Sequence, residues 1–551
     1  VILLDPYAAR SCPVKTFNAF DPTEPAPPMD ESLREAFQGG SDHRDLVLDA
    51  LADVPGAVDL RKATSLEATR EAVAARASVI IRPTLPDDPD GHRRGSTDAL
   101  VSHAGSPEPS YYPLKAKPYR VVEKQLGAGE LRTSPLSAPH TLLILHDRRY
   151  RVFREGVLLE LAHAWRMLQA AGWAGEEPWA AVVGDNHDGS QPSITWVNLQ
   201  HKFIRTYSRT AGHKMRSPLE RYDHEHGFRI HVATSAAQRT GVDDPPPVVR
   251  PIRVKECEWC AWWQVCRPKM DDDDLSLRIA KAPLDVRELQ TLLSLGIKTV
   301  AQLAEADIDA LLPEYLPLTG HRDRPEARLR QAARRAQMLA RGVELERVTD
   351  EPIGLPRASV EVDLDIETSD DGTTYLWGAL VSGIGPEPTY HPFARFGCLN
   401  GADEVELALE LSTWLLDLAE RHPDLRVYHY SDYEVVHLRR MAERSDHPVL
   451  RRAVQLASER FVDLYGYVRD HFVGVDGLGL KIVATRGADF RWRDEDPGGL
   501  QSQVWFRDAV GATDVTTREC ARRRVLAYNE DDVRATLAVR EWLTGLDATA
   551  G

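Results

Sequence analysis

Nine residues constrain this chain more than any others: Val360-Glu361-Val362-Asp363-Leu364-Asp365-Ile366-Glu367-Thr368. Apolar and acidic side chains alternate with period two, the pattern of a half-buried β-strand. Val360, Val362, Leu364 and Ile366 take one face, and Glu361, Asp363, Asp365 and Glu367 take the other. Carboxylates crowded on one strand face repel each other unless cations neutralise them or water screens them. Hard divalent ions such as Mg²⁺ or Mn²⁺ seek such oxygen ligands. A solvated edge strand with an acidic outer face satisfies the same pattern, and the strand alone does not choose between the two.

The chain around it has the composition of a folded, soluble protein: 551 residues, 42% hydrophobic and 28% charged. That excludes a disordered or fibrous chain. Lys and Arg number 68 against 84 Asp and Glu, a formal charge of −16. Bulk charge therefore does not attract nucleic acid, and any such contact must use local patches. Apolar runs such as Leu142-Leu143-Ile144-Leu145 fall far short of the ~18 residues of a membrane span, and Val1 to Leu4 meet Asp5 at once. The expectation is a cytoplasmic protein with no membrane partner. Proline-rich breaks and composition divide it into a mixed zone over 1–270, a helix-rich zone over 271–350, and an α/β zone over 356–551.

Within the last zone, Asp365-Ile366-Glu367-Thr368 resembles the first motif of DnaQ-like 3′–5′ exonucleases, the DEDD group on an RNase H-like fold. Tyr528-Asn529-Glu530-Asp531-Asp532 places a Tyr and an Asp four apart, on one helix face, as that family's terminal motif requires. Glu434 stands four before Leu438, where the family has an aspartate. Asp432 is the fallback there, and Asp463 a secondary candidate. The resemblance implies a two-metal hydrolysis with Mg²⁺ or Mn²⁺ held by Asp365, Glu367 and Asp532, Glu434 completing the set, and Tyr528 orienting the attacking water.

Six cysteines in so long a chain are not a disulfide framework. Cys257, Cys260 and Cys266 form C-x2-C-x5-C, and Cys12 is a distant fourth ligand. Four thiolates hold either a structural Zn²⁺ or an iron–sulfur cluster. The arrangement resembles the staple of RecB-family nucleases of the AddB type, which implies a [4Fe–4S] cluster tying together the two ends of the domain. Trp259, Trp262 and Trp263 then shield the cluster or stack on bases. Cys398 and Cys520 read as buried apolar residues.

The same resemblance implies a PD-(D/E)xK metal site. His43 follows Gly39-Gly40, Asp98 closes Gly95-Ser96-Thr97-Asp98, and Lys117 ends Tyr111 to Lys117. Lys115, however, stands where the second carboxylate belongs, with Glu123 the substitute in a different register. A cation there repels the metal, so the expectation is a degenerate nuclease retained for DNA binding. A surviving second site at His43, Asp98 and Lys117 is the alternative.

For nucleic acid, His201 to His231 carry seven Lys/Arg and five His against three acids, including Lys202, Arg205, Arg209, Lys214 and Arg216. Aromatics interleave them, as in a single-strand groove, although a solvated, salt-bridged segment gives the same composition. Arg322 to Arg347, with eight arginines against four acids, is a second candidate with an equally ordinary alternative. Leu292 to Leu303 resemble a helix-hairpin-helix in which Gly296 makes the turn before a phosphate-binding helix start.

The expected fold is therefore α/β. A RecB-like PD-(D/E)xK domain with an Fe–S staple precedes a helix-hairpin-helix middle and a C-terminal RNase H-like exonuclease domain of YprB type. The expected function is a metal-dependent 3′–5′ exonuclease acting on DNA, single-stranded or at 3′ ends, with RNA and a helicase as further implied partners. A catalytically silent nucleic-acid-binding scaffold and an RNA-directed exonuclease are the alternatives.

Overall fold

The computed structural model describes residues 1–27, 41–103, 105–124, 130–146, 148–184, 192–208, 212–241, 246–278, 284–369, 372–397, 399, 401–494 and 499–549. These form two compact units. One comprises the described residues within 1–278, 284–299 and 307–328; the other comprises those within 300–306 and 329–549. The helical zone over 271–350 thus contributes to both. Among the described residues no helix is long and apolar enough to cross a membrane.

The first unit is built on an eight-stranded mixed sheet. Its spatial order is Val58–Asp59, Val79–Ile81, Ala99–Ser102, Tyr111–Lys117, Trp179–Gly184, Ser193–Asn198, Glu130–Pro135 and Leu143–His146. The helix Glu155–Ala170 packs on Tyr111–Lys117 and Trp179–Gly184, burying Val157, Leu158, Leu161 and Trp165. The helix Ser41–Ala52 covers the other face through Val47, Leu48 and Leu51, against Leu114 and Ala116. The last edge strand carries the apolar run noted in the sequence, but Leu143, Ile144 and Leu145 are exposed there. Cys520 corrects the reading of a buried apolar thiol, because it is exposed. Cys398 lies outside the described residues.

The first unit also contains the turn at Gly296. The chain leaves the helix Val286–Ser294, takes φ +86° at Gly296, and enters the helix Val300–Glu305 of the second unit. A side chain with Cβ is strained in that left-handed conformation, which explains a glycine.

The second unit holds a five-stranded sheet in the order Thr389–Ala394, Thr374–Ser382, Glu361–Thr368, Arg426–His429 and Phe461–Asp463. The acidic strand is central, antiparallel to Thr374–Ser382 and parallel to Arg426–His429. Period-two alternation pointed to one wet face; here both faces are covered. Val360, Val362, Leu364 and Ile366 pack against Leu407, Leu411 and Leu415 of the helix Gly401–Arg421. The acid face lies under the 35-residue helix Val515–Thr549.

That burial is tolerated because the acids are treated differently. Arg540, 0% exposed, donates from Nε and Nη2 to both oxygens of Asp363 at 3.0 and 2.9 Å, and from Nη1 to Glu361. Glu361 also accepts from Arg357 at 2.7 and 2.9 Å and from the Tyr428 hydroxyl at 2.9 Å. Half of the acid face is thereby a closed ion-pair network. Removing Arg540 leaves Asp363 buried and unpaired while Glu361 keeps Arg357, at a cost of about 3–5 kcal/mol. We expect Arg540→Met to destabilise the second unit by about that much in chemical denaturation, with Asp363→Asn added to it recovering part of the loss. Unchanged stability in Arg540→Met would show that the network is not what stabilises the buried acids.

Candidate metal centre

The other half of the acid face has no such arginine. Asp365 and Glu367 are two apart on the strand and so share its face; the terminal helix adds Asp532. Single oxygens from these three carboxylates all lie within 4.8 Å of one another, the one group of metal-binding type found among the described residues. Asp365 is half-buried, and Glu367 and Asp532 are buried.

Neutral donors hold each carboxylate in place. Asn529 Nδ2 donates to Asp365 Oδ2 at 2.7 Å, while the Tyr390 hydroxyl donates to Asn529 Oδ1 at 2.7 Å. Ser502 Oγ donates to Glu367 Oε2 at 2.9 Å, and Trp492 Nε1 to Asp532 Oδ1 at 2.7 Å. Gly378 pairs with Asp365 across the sheet, and a Cβ there would stand 1.7 Å from Asn529 Oδ1. The Asn529 side chain can therefore hold this position only over a glycine. Lys481 is a cation beside this chemistry: its Nζ donates to the Tyr528 hydroxyl at 2.6 Å and lies 4.8 Å from that ring's centre.

The electrostatics follow from burying three like charges together. Burial, then Asp532, Glu367 and Glu434, push the Asp365 carboxyl well above the usual range. Burial and Asp532 push Glu367 up to about 8. Burial raises Asp532 to about 6, against the lowering effects of Lys481, Trp492 and Tyr528. Burial and the surrounding carboxylates raise the Tyr528 phenol strongly, so it stays protonated and acts as a hydrogen-bonding group rather than a base.

Glu434 is buried in the first turn of the helix Tyr433–Ser445 but outside the tight trio. Its Oε2 lies 3.6 Å from His429 Nδ1 and has no hydrogen-bond partner. Burial raises its pKa while His429 lowers it. Asp432 is exposed at the start of that helix. Asp463 caps the helix Leu464–His471, accepting from the N–H of Tyr465 and of Ser431 at 2.9 Å each, which fully accounts for a carboxylate there.

In the first unit, Cys12, Cys257, Cys260 and Cys266 line one pocket, with Trp262 and Trp263 beside them. All four are free thiols. The Cys12 N–H donates to Glu256 Oε2 at 2.9 Å, and Asn18 Nδ2 to Cys266 Sγ at 3.5 Å. Burial pushes the Cys266 thiol up to about 11, with Cys12, Cys260 and Cys257 adding to the effect. Trp259 is 55% exposed and does not line the pocket.

Asp98 and Lys117 face the helix Glu155–Ala170 but go to different partners. Lys115 Nζ is 3.4 Å from Asp98, and Lys117 Nζ donates to both oxygens of Glu160 at 3.0 and 3.1 Å. The structure does not gather His43 with them. Its helix packs on the sheet face that presents Leu114 and Ala116, the opposite face by alternation. Glu123 is held by Arg149 at 2.7 Å in a separate two-stranded ladder.

Among the basic residues, Lys202 pairs with Glu220 at 2.9 Å. Arg205 sits opposite Met215, and Lys214 opposite Thr206, in the ribbon Ile204–Ser208/Gly212–Arg216. Arg205 is therefore on one ribbon face and Lys214 and Arg216 on the other. Arg209 lies outside the described residues.

Lys481, Trp492, Ser502, Asn529, Tyr390 and Gly378 were not read from the sequence. Asn529 alone carried a signal, lying three before Asp532 and hence on the same helix face.

The second unit is thus an α/β domain whose central strand and the helix Val515–Thr549 bring three carboxylates together, and its likeness to a known superfamily lies in that region. Residues 362–544 match the RNase_H_2 family model, the RNase_H superfamily. No curated protein and no solved structure matches the chain.

The raised carboxyls fix the sign of a pH effect. Glu367 holds its proton in the fold up to about 8 but releases it near 4.5 when ordinary. Between those values the folded state binds more protons than the unfolded, so stability falls as pH rises. Melting in EDTA should show a lower Tm at pH 8 than at pH 5. Mn²⁺ should remove that slope, because a bound cation replaces the proton. A profile in EDTA that is flat or rises would contradict the cluster's electrostatics.

Proposed function

We propose that the chain is a metal-dependent nuclease whose C-terminal domain removes nucleotides from 3′ ends of DNA. The observation that carries this reading is the division of one acid face: Glu361 and Asp363 are neutralised by arginine, whereas Asp365 and Glu367 meet Asp532 with no arginine among them. Buried carboxylates kept without a paired cation favour a hard divalent ion. Asp365, Glu367 and Asp532 would hold Mg²⁺ or Mn²⁺, with Glu434 completing the set once it leaves His429. Ions bound there supply an activated water and neutralise charge on the leaving oxygen.

The chain's own residues do the positioning. Lys481 donates to Tyr528, and the Tyr528 hydroxyl bonds Asp532, so the phenol is fixed from both sides to orient a water. Asn529 and Ser502 turn Asp365 and Glu367 toward a common point. RNA is the second substrate to test. The silent scaffold is favoured by one observation, the engagement of Glu434 with His429.

The deciding assay is degradation of end-labelled single-stranded DNA and RNA with Mn²⁺. Asp365→Ala should lower the rate by at least about 10³-fold, in line with loss of a group that stabilises developing charge. Cleavage that persists in the mutant would move the chemistry out of this domain. Binding without cleavage by the parent chain would favour the scaffold.

For the first unit we propose a RecB-like fold whose four cysteines carry a [4Fe–4S] cluster. The support is that Cys12 is brought to the pocket of Cys257, Cys260 and Cys266 from 245 residues or more away, as the hydrogen bond from the Cys12 N–H to Glu256, 244 residues along the chain, also requires. The cluster would crosslink the two ends of that unit. Cys12→Ser should lose iron and acid-labile sulfide and become more sensitive to protease. Stoichiometric zinc in the purified protein, with no sulfide, would replace the cluster by a structural zinc.

A further inference from the structure

The first unit contains a second buried charge cluster, with the opposite balance to the metal centre. Glu160, 0% exposed, takes Lys117 and Arg10, each at 3.0 Å. Asp98, 6% exposed, takes Lys115 at 3.4 Å and Arg82 at 3.9 Å, and also accepts the Ala116 N–H at 3.0 Å. Four cations on two carboxylates leave two positive charges in excess. Lys115 and Lys117 are themselves only 10% and 14% exposed. A divalent cation finds no free carboxylate there, so the metal implied by a PD-(D/E)xK resemblance does not fit.

Three features surround this excess and point to an anion. A Cβ on Gly156 would meet Arg10 Nη1 at 3.2 Å. Arg10 therefore lies over the first turn of the helix Glu155–Ala170, where the helix dipole favours negative charge. Arg154, the residue before that helix, lies with its guanidinium over the Tyr119 ring at 3.9 Å, and its buried Nε has no hydrogen-bond partner. Tyr7 is 45% exposed, with Arg10 over its ring at 5.1 Å. Arg10 and Arg82 have 37% and 44% exposed side chains, so the cluster is open at those residues. The buried Lys115–Asp98 and Lys117–Glu160 pairs already match one cation to each carboxylate, so the excess charge sits on the two arginines that an incoming anion can reach.

We propose that Arg10 and Lys117 on Glu160, together with Lys115 and Arg82 on Asp98, form a metal-free anion site that takes one phosphate group. The strand backbone as the source of that phosphate rests on the nuclease reading above; a free phosphate is the other source. The site converts the canceled carboxylates into holders of cations: Glu160 and Asp98 aim the ammonium and guanidinium groups, and the exposed arginines meet the ligand first.

The test uses the full chain carrying Asp365→Ala, in EDTA. A labelled oligothymidylate is titrated at several salt concentrations, and melting is followed with inorganic phosphate against chloride at equal ionic strength. Arg10→Gln combined with Arg82→Gln removes only the exposed cations, so the buried pairs and the fold are retained. We expect the double variant to bind the oligonucleotide several-fold more weakly. Its salt dependence should flatten by about 0.7 in log–log slope, one phosphate contact on a single strand, and the stabilisation by phosphate should be lost. Loss of the phosphate effect with unchanged oligonucleotide binding assigns the same site to a free phosphate. Equal affinity, slope and phosphate response in both proteins would overturn the proposal. So would Mn²⁺ that stays bound in an Asp365→Ala, Asp532→Ala chain and is lost on adding Asp98→Asn. No arm requires cleavage, so failure here and failure of the exonuclease reading are separate results.

Discussion

A guanidinium with no exposed surface decides how the second unit uses its most distinctive strand. Arg540 spans Glu361 and Asp363, and through them anchors one end of the terminal helix to the sheet. Asp532 precedes Arg540 by eight residues, about 12 Å along a helix. The strand advances about 3.3 Å per residue, so the same helix face that carries Arg540 over Asp363 carries Asp532 to Asp365 and Glu367. The ion pairs and the carboxylate trio are thus two ends of one docking interaction. The closed end contributes rigidity, and the open end is left with unmet demand for positive charge.

The two units handle buried acids in contrasting ways. In the second, polar but uncharged groups such as Asn529, Ser502 and Trp492 orient carboxyl groups without pairing them to a cation. In the first, Asp98 and Glu160 are each met by two cations. Hydrogen bonding fixes direction without cancelling charge, whereas ion pairing does both. A metal centre is compatible with the first arrangement and incompatible with the second.

Much of this was legible in the residues. Period-two alternation announced the acidic strand, and the spacing of Tyr528 and Asp532 put both on one helix face. The strand's position was not legible, because its alternation is equally that of an edge strand, and the cover over its acid face comes from a helix distant in sequence. Nor could the four acids be sorted, since Arg540 is 177 residues from Asp363. Lys481 and Trp492 belong to no periodic or spaced motif, and their contacts arise only from tertiary folding. Lys115 was legible as a misfit, but its partner Asp98 and the neighbouring Lys117–Glu160 pair were not. The basic stretch read as one surface by composition, whereas pairing register divides Arg205 from Lys214 and Arg216.

Gly378 and Asn529 carry a consequence for the order of assembly. Asn529 reaches Asp365 across 164 residues of chain and can do so only over the bare backbone of Gly378. Contacts of such long sequence separation close late, because the entropy of loop closure comes before any gain from them. The sheet can form its hairpins locally, but the carboxylate trio exists only after the last helix has docked. Competence to hold a metal at Asp365 is therefore a property of the finished domain, and a chain still being made or partly unfolded lacks it.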